Sequence, residues 1–503
     1  MQRTQFSTQQ PEWITKIAVT ISILGTLILA GCGGSASLPQ DNGGDGGPKF
    51  NESKPATVQV RIGDSPSERV VALKLTLNSI QATPSSGDKV SLLASPVTME
   101  VTHLAASNQL VGEISMPQGS YKQIAIDVKS ATVTYLDPVT NQPVKKQFSS
   151  VSTSTVKFSP ALQIAAGGNL LNIDVDVAKT VKLDLVKNTV GLNTPVFNIT
   201  AQTVATSGQQ RPETGAVEHI TGQVTAVSGS AFTIKSGQSG AALTFGTNQD
   251  TVLVSANLNS LTGTIVNVEA TSLVDGTLLA TKVANVNTTT GVSVEGLLTG
   301  YTDWGYLNVV VQDGTGAGMT DSMLGANMAL SLGNASFSYD ATDVDMTGLP
   351  FTFDVNSIMP GQRVEVQSFN AVQTDPQGKA AGFVTAATVE LEKQTLSGRV
   401  NDYADNGDGT ATFNLVLASD GNSYLNATNP GTVQVEVHIQ SKTDLDGVSG
   451  DLSGKSVMVR GLLFFYAPSG FGIHSNGGLK ALVGGGGGGS SPYFAMVASR
   501  VSQ

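Results

Sequence analysis

The stretch Ile220-Thr221-Gly222-Gln223-Val224, opening ITGQVTAVSGSAFTIKSG (220–237), is an alternating apolar strand with a glycine set inside it. Working outward, the same apolar-x-Gly-x-apolar opening recurs at Val294-Glu295-Gly296-Leu297-Leu298 and at Leu396-Ser397-Gly398-Arg399-Val400. Two further markers follow each opening in the same order. A glycine leads into a strand at Gly263 (before Val266 and Val268), at Gly361 (before Val364 and Val366) and at Gly454 (before Val457 and Val459). An Ala-x-x-Val then closes each unit, at Ala280/Val283, Ala386/Val389 and Ala498/Val501. A threefold internal repeat settles architecture before any motif is considered. A glycine inside an alternating strand marks a bend or bulge where a sheet curls, a device that closes small barrels. Three small β-barrel-like repeats are therefore expected, over 219–288, 292–391 and 395–503; the second and third carry insertions, such as Asp313 to Asp345.

Upstream, period-two alternation continues. Val58, Val60 and Ile62 share one face of a first run, and Leu73, Leu75 and Leu77 share one face of a second. Similar runs at 124–128, 131–135 and 171–177, separated by turn residues, predict a β-sandwich over 56–200, with 201–218 as a linker. Composition agrees: only 13% of residues are charged and 56 are glycine, which favours short strands and turns over long amphipathic helices. The expected fold class is all-β, an N-terminal β-sandwich followed by three small barrels.

Two family resemblances rest on these residues. Gly63-Asp64-Ser65-Pro66, Met116-Pro117-Gln118-Gly119-Ser120-Tyr121-Lys122-Gln123-Ile124 and Ile173-Asp174-Val175-Asp176 resemble the domain of unknown function 4382, which occurs in lipoproteins. The first repeat, with Asp275-Gly276-Thr277-Leu278-Leu279-Ala280 near its end, resembles the domain of unknown function 5666, frequent in exported proteins. Neither resemblance implies an activity.

The first residues read as an address. Arg3 and Lys16 flank a polar segment, and Ile17 to Ala30 is apolar or small throughout, short of the roughly 20 residues a spanning helix needs. Leu29-Ala30-Gly31-Cys32 resembles the bacterial lipobox. That resemblance implies a signal peptide over 1–31, cleavage between Gly31 and Cys32, and acylation of the Cys32 thiol, whose several acyl chains bind a membrane more firmly than one. Residues 32–55 then form a flexible Gly-, Ser- and Asp-rich tether. Gly33 after the cysteine resembles the pattern sent to the outer membrane, with the body extracytoplasmic. Cys32 is the only cysteine, which excludes a disulfide framework and a thiolate metal cluster.

With 28 basic against 39 acidic residues the net charge is −11, which repels a phosphate backbone; nucleic acid is not an expected partner. Gly63-Asp64-Ser65 lacks the Asp-x-x-His partner of a hydrolase block and reads as a turn leaving a strand. His103, His219, His438 and His474 form no zinc-spaced cluster. Asp402, Asp405, Asn406 and Asp408 form an oxygen-rich loop able to hold calcium, but they fail EF-hand spacing and equally suit a hairpin turn. Asp174 and Asp176, two apart on a strand, share a face; they are either paired carboxylates of a hydrolase or a solvated face. The glycine run 484–489 lacks the following Lys of a phosphate loop. Tyr301, Trp304 and Tyr306 offer a stacking platform for sugar or single strands or, alternatively, core or turn packing. The expected function is a non-enzymatic, cofactor-free envelope lipoprotein acting as a binding, adhesion or structural module for a protein or glycan; an extracytoplasmic hydrolase and a carbohydrate-binding surface protein are the alternatives.

Overall fold

The computed structural model describes residues 55–65, 69–105, 109–166, 168–203, 216–236, 242–254, 256–273, 277–286, 290–341, 343–417, 423–466, 471–473, 479–481 and 493–502. Gly31, Cys32, the tether up to residue 54, His474 and the glycine run 484–489 lie outside them.

The N-terminal body is a β-sandwich. Its first sheet pairs Pro55–Ser65 in parallel with Gly168–Asp176, flanked by Gln109–Pro117 and Phe197–Thr203. Its second sheet centres on the long antiparallel pair Val70–Pro84 and Gly119–Leu136. The alternation reads out directly: Val58, Val60 and Ile62 from one sheet meet Leu73, Leu75 and Leu77 from the other in one core. The last strand runs to Thr203, three residues past the expected end of the sandwich.

At one corner of this body Asp137 accepts from the backbone N–H groups of Val139 (2.9 Å) and Thr140 (2.8 Å) and from the side-chain amide of Asn188. The Thr140 N–H, then Asn188 and the Val139 N–H, hold its carboxyl at about 2. A lowered folded-state pKa stabilises above the unfolded value, about 3.9, and the stabilisation is lost as pH falls through the folded one. The stability gap between wild type and Asp137→Ala, measured by urea unfolding, should be constant above about pH 5 and shrink toward pH 2.

Three barrels follow, and each has the same strand order, 1-2-3-5-4 and back to 1, with strands three and five parallel. The first uses Ala216–Ser228, Ala231–Ser236, Ala242–Gly246, Ile265–Ser272 and Leu278–Val286. In the second the strands are Val292–Tyr301, Leu307–Gly316, Asn327–Ser331, Arg363–Ser368 and a fifth split into Phe383–Thr385 and Thr388–Leu391. The third is a closed ring of Lys393–Asp405, Ala411–Val416, Gln434–Asp446, Ser456–Tyr466 and Tyr493–Ser502.

The opening glycines explain the closure. A Cβ on Gly222, Gly296 or Gly398 would stand 2.6, 2.1 or 2.5 Å from the carbonyl oxygen of Lys235, Val310 or Val416 on the second strand. At these points strands one and two cross too closely for any side chain. The third marker also has a structural meaning: Thr251 and Thr443, where the third strand is interrupted, donate through Oγ1 to the carbonyls of Ala280 (2.8 Å) and Ala498 (2.7 Å).

Buried polar contacts join the bodies. Arg61, fully buried in the sandwich, donates to Ser272 Oγ of the first barrel, and Gln59 Oε1 accepts from both (3.2 and 2.6 Å). The 3-10 turn Thr102–Leu104 lies against the second and third barrels: the His103 carbonyl accepts from Arg363 (2.9 Å) and the Ala105 carbonyl from Thr395 Oγ1 (2.7 Å). Val71, Ala72 and Leu136 of the sandwich share a small apolar cluster with Leu297, Val310 and Ala427 of the barrels.

Candidate functional site

In small Greek-key barrels of the OB type, the face of strands two and three and the connections between strands one and two and between strands four and five hold oligosaccharides and oligonucleotides. In the second barrel those connections are residues 302–306 and 369–382. The first of them carries the exposed Trp304 and the half-buried Tyr306.

The first connection is a stiff turn. Thr302 N–H donates to the Tyr306 carbonyl (2.7 Å) and Gly305 N–H to the Thr302 carbonyl (2.9 Å). Thr302 Oγ1 accepts from the backbone N–H groups of Trp304 (3.3 Å) and Tyr306 (3.1 Å). Gly305 sits at φ +80°, where a side chain would be strained. The Trp304 side chain consequently stands out, 62% exposed, with its ring 6.4 Å from that of Tyr306. Tyr306 in turn lies 5.1 Å from Phe383, which opens the fifth strand.

The second connection is fastened beside the first. Gln373 and Phe383 exchange two backbone hydrogen bonds, of 2.9 and 2.8 Å. Asp375 accepts from the N–H groups of Gln377 (3.1 Å), Lys379 (2.7 Å) and Ala380 (2.7 Å). Lys379 pairs with Asp303 on the first connection, and this contact holds the Asp303 carboxyl below and the Lys379 ammonium above their usual ranges. Both side chains are exposed, so the pair orients the loops more than it stabilises them. The face is a row of three rings with a charged pair at its edge.

Tyr301 is not part of it. Its side chain is half-buried against the second barrel's core, and burial pushes its hydroxyl up. Phe383, Lys379 and Asp375 were not legible as site residues, being about 75 positions from Trp304 in the chain with no motif linking them.

The other sequence candidates disperse. Asp402, Asp405, Asn406 and Asp408 lie in the hairpin joining strands one and two of the third barrel. There Asp405 accepts from Gly407 N–H (2.8 Å), Asp408 from Thr410 N–H (3.0 Å), and Asp402 from the Asn414 amide (3.0 Å), while Asn406 donates to Thr410 Oγ1 (2.9 Å). Those oxygens are engaged in turn geometry. Asp176 caps the short helix Val177–Thr180, accepting from Lys179 N–H (2.9 Å) and pairing with its ammonium at 2.7 Å. It is therefore a capping residue rather than half of a solvated carboxylate face. Gly63-Asp64-Ser65 completes a strand paired with Asp174-Val175-Asp176. His103 is buried with Nδ1 2.9 Å from Glu100, and His438 packs edge-on against Phe351. A cavity of about 50 Å³ beside His103, Gln312 and Arg363 has room for about one water, not for a ligand. Carboxylates converge instead at Glu365, Glu390 and Glu392, which the sequence reading did not single out.

Residues 55–192 match the family described as domain of unknown function (DUF4382), and residues 221–284 match domain of unknown function (DUF5666). No curated protein matches the chain. Among solved structures the chain is similar to the single-stranded DNA binding protein from Thermus aquaticus, at 19% identity over 35% of this chain and 85% of that one, with a TM-score of 0.12. It is similar to a deletion mutant of the same Thermus aquaticus protein at 19% identity over 35% of this chain and 87% of that one, again with a TM-score of 0.12. At that score the likeness carries no argument.

Proposed function

We propose that this chain is a non-enzymatic cell-envelope lipoprotein, acylated at Cys32 and extracytoplasmic, that binds carbohydrate through the aromatic face of its second barrel. The observation that carries the reading is Trp304: 62% exposed, held on a stiff turn, and continued by Tyr306 and Phe383 at the position where such barrels take linear polymers. A sugar ring presents an apolar face that stacks on aromatic rings. The net charge of −11 favours a neutral glycan over a polyanion. The second and third barrels are diverged copies of the first, a reading supported by the shared strand order and the shared close-crossing glycines. Anchorage rests on Leu29-Ala30-Gly31-Cys32, and mass spectrometry of native protein should find the leader absent and the thiol acylated.

The chain has two tryptophans, Trp13 and Trp304, so a protein beginning at residue 32 retains Trp304 alone and its emission reports on the face directly. Titration with neutral oligosaccharides should shift that emission. Tyr306→Ala, read by the same signal, and Trp304→Ala, read by calorimetry, should each weaken binding by roughly 5- to 150-fold, the equivalent of about 1–3 kcal/mol per stacked ring. Trp304→Ala should leave the thermal transition in place. Unchanged affinity in both variants would overturn the proposal.

A further inference from the structure

Strand register in the second barrel assembles something the sequence order hides. Asp313 pairs with Glu295, Glu295 with Glu365, and Glu365 with Glu390, so four acids stand directly opposite one another across neighbouring strands. Glu392 follows Glu390 by two positions, on the same face. Like charges directly opposite are destabilising, so such a row needs compensation.

The protein supplies part of it. Lys282, from the first barrel, reaches Glu269 (3.1 Å) and Glu390 (3.3 Å); Arg363 reaches Glu295; Lys393 reaches Asp340 (3.2 Å). Burial opposes the charge on Lys282, yet Glu269, Glu392, Glu390 and Asp340 together outweigh it and raise its pKa. Among the described residues these three cations reach Glu269, Glu390, Glu295 and Asp340, while Glu365 Oε1 accepts from Ser293 Oγ (2.6 Å) and from the Gln367 amide (3.3 Å).

Glu392 is the most buried of these acids. It is 3% exposed, and its Oε1 is buried with no hydrogen-bond partner among the described residues. Glu365, Glu390 and Glu392 each offer a carboxylate oxygen within 4.8 Å of the other two. Oxygens sharing one calcium ion lie at 2.3–2.6 Å from it, and so at most roughly 5 Å apart; magnesium, at about 2.1 Å, requires a tighter set.

We propose that Glu365, Glu390 and Glu392 bind one divalent hard cation, calcium by fit, on the wall of the second barrel where Lys282 of the first barrel meets it. A donor set of carboxylate oxygens alone selects a hard ion. A dication offsets two of these charges at the point where Lys282 of the first barrel reaches Glu390 of the second. The site is independent of the aromatic face and stands or falls without it.

The test uses the mature chain stripped with EGTA. Equilibrium dialysis against radiolabelled calcium should find one ion retained per chain, and calorimetry should show a melting temperature that climbs with calcium concentration. Glu392→Gln and Glu365→Gln, which keep shape and remove charge, should each weaken calcium binding by more than about tenfold without lowering the metal-free melting temperature. Asp405→Asn with Asp408→Asn should bind as wild type. Failure of wild type to retain calcium would overturn the proposal, and this outcome needs no variant. So would wild-type affinity in both glutamine variants, or loss of binding in the Asp405/Asp408 double variant.

Discussion

Arg363→Ala should lower folding stability by about 3–5 kcal/mol, the range for removing one partner of a buried ion pair. Arg363 is 3% exposed and joins three bodies: it donates to the His103 carbonyl of the sandwich (2.9 Å), to the Lys393 carbonyl at the start of the third barrel (2.9 Å), and to Glu295 on its own barrel. Truncation deprives Glu295, itself 4% exposed, of its guanidinium partner and strips a donor from two buried carbonyls. Lysine should not restore the loss, because one ammonium cannot reproduce a fork that donates in three directions. Adding Glu295→Ala to Arg363→Ala should recover a large part of the loss, since the double variant also removes the buried carboxylate. Calorimetric unfolding of wild type, Arg363→Ala, Glu295→Ala and the double variant checks the cycle; a cost below about 1 kcal/mol for Arg363→Ala would show that water reaches Glu295 after all.

Gly296→Ala should be destabilising by about 3 kcal/mol, at the upper end of what overpacking costs. The added methyl would stand 2.1 Å from the Val310 carbonyl oxygen, a backbone atom fixed by the pairing of Val292–Tyr301 with Leu307–Gly316. Relief requires the strands to separate where the barrel closes. Gly112→Ala is the internal control: that glycine is also in a strand, but nothing lies within 4 Å of where its Cβ would be. It should be neutral or stabilising by a few tenths of a kcal/mol through the unfolded chain. Urea midpoints of the two variants, compared with wild type, decide the matter; equal midpoints would mean that the first and second strands are not held in close crossing.

The two effects share a cause. The described residues form four small β-bodies whose cores are filled by alternating residues, Leu462, Phe464, Ala495 and Val497 of the third barrel completing the core of the second, and what is hard to replace lies where backbones cross or bodies meet. Gly296 stands at a crossing and Arg363 at a meeting point. Exposed positions such as Trp304 carry little stability, which leaves them free for recognition.

Period-two alternation in the sequence determined that Val58, Val60 and Ile62 face a core, and the thrice-repeated order of markers at Gly222, Gly296 and Gly398 determined three barrels, because both signals are local to a strand. The alternation says which face of a strand is apolar but not which strand lies beside it. Tertiary pairing alone decided that Glu295, Glu365 and Glu390 stand in one row, since they come from the first, fourth and fifth strands of a ring. It likewise placed Phe383 beside Tyr306 and Lys379 beside Asp303, set Tyr301 half-buried against the core, and turned Asp176 into a helix cap. Each of these depends on a contact between segments far apart in the chain, and the sequence carries no periodicity that records such a distance.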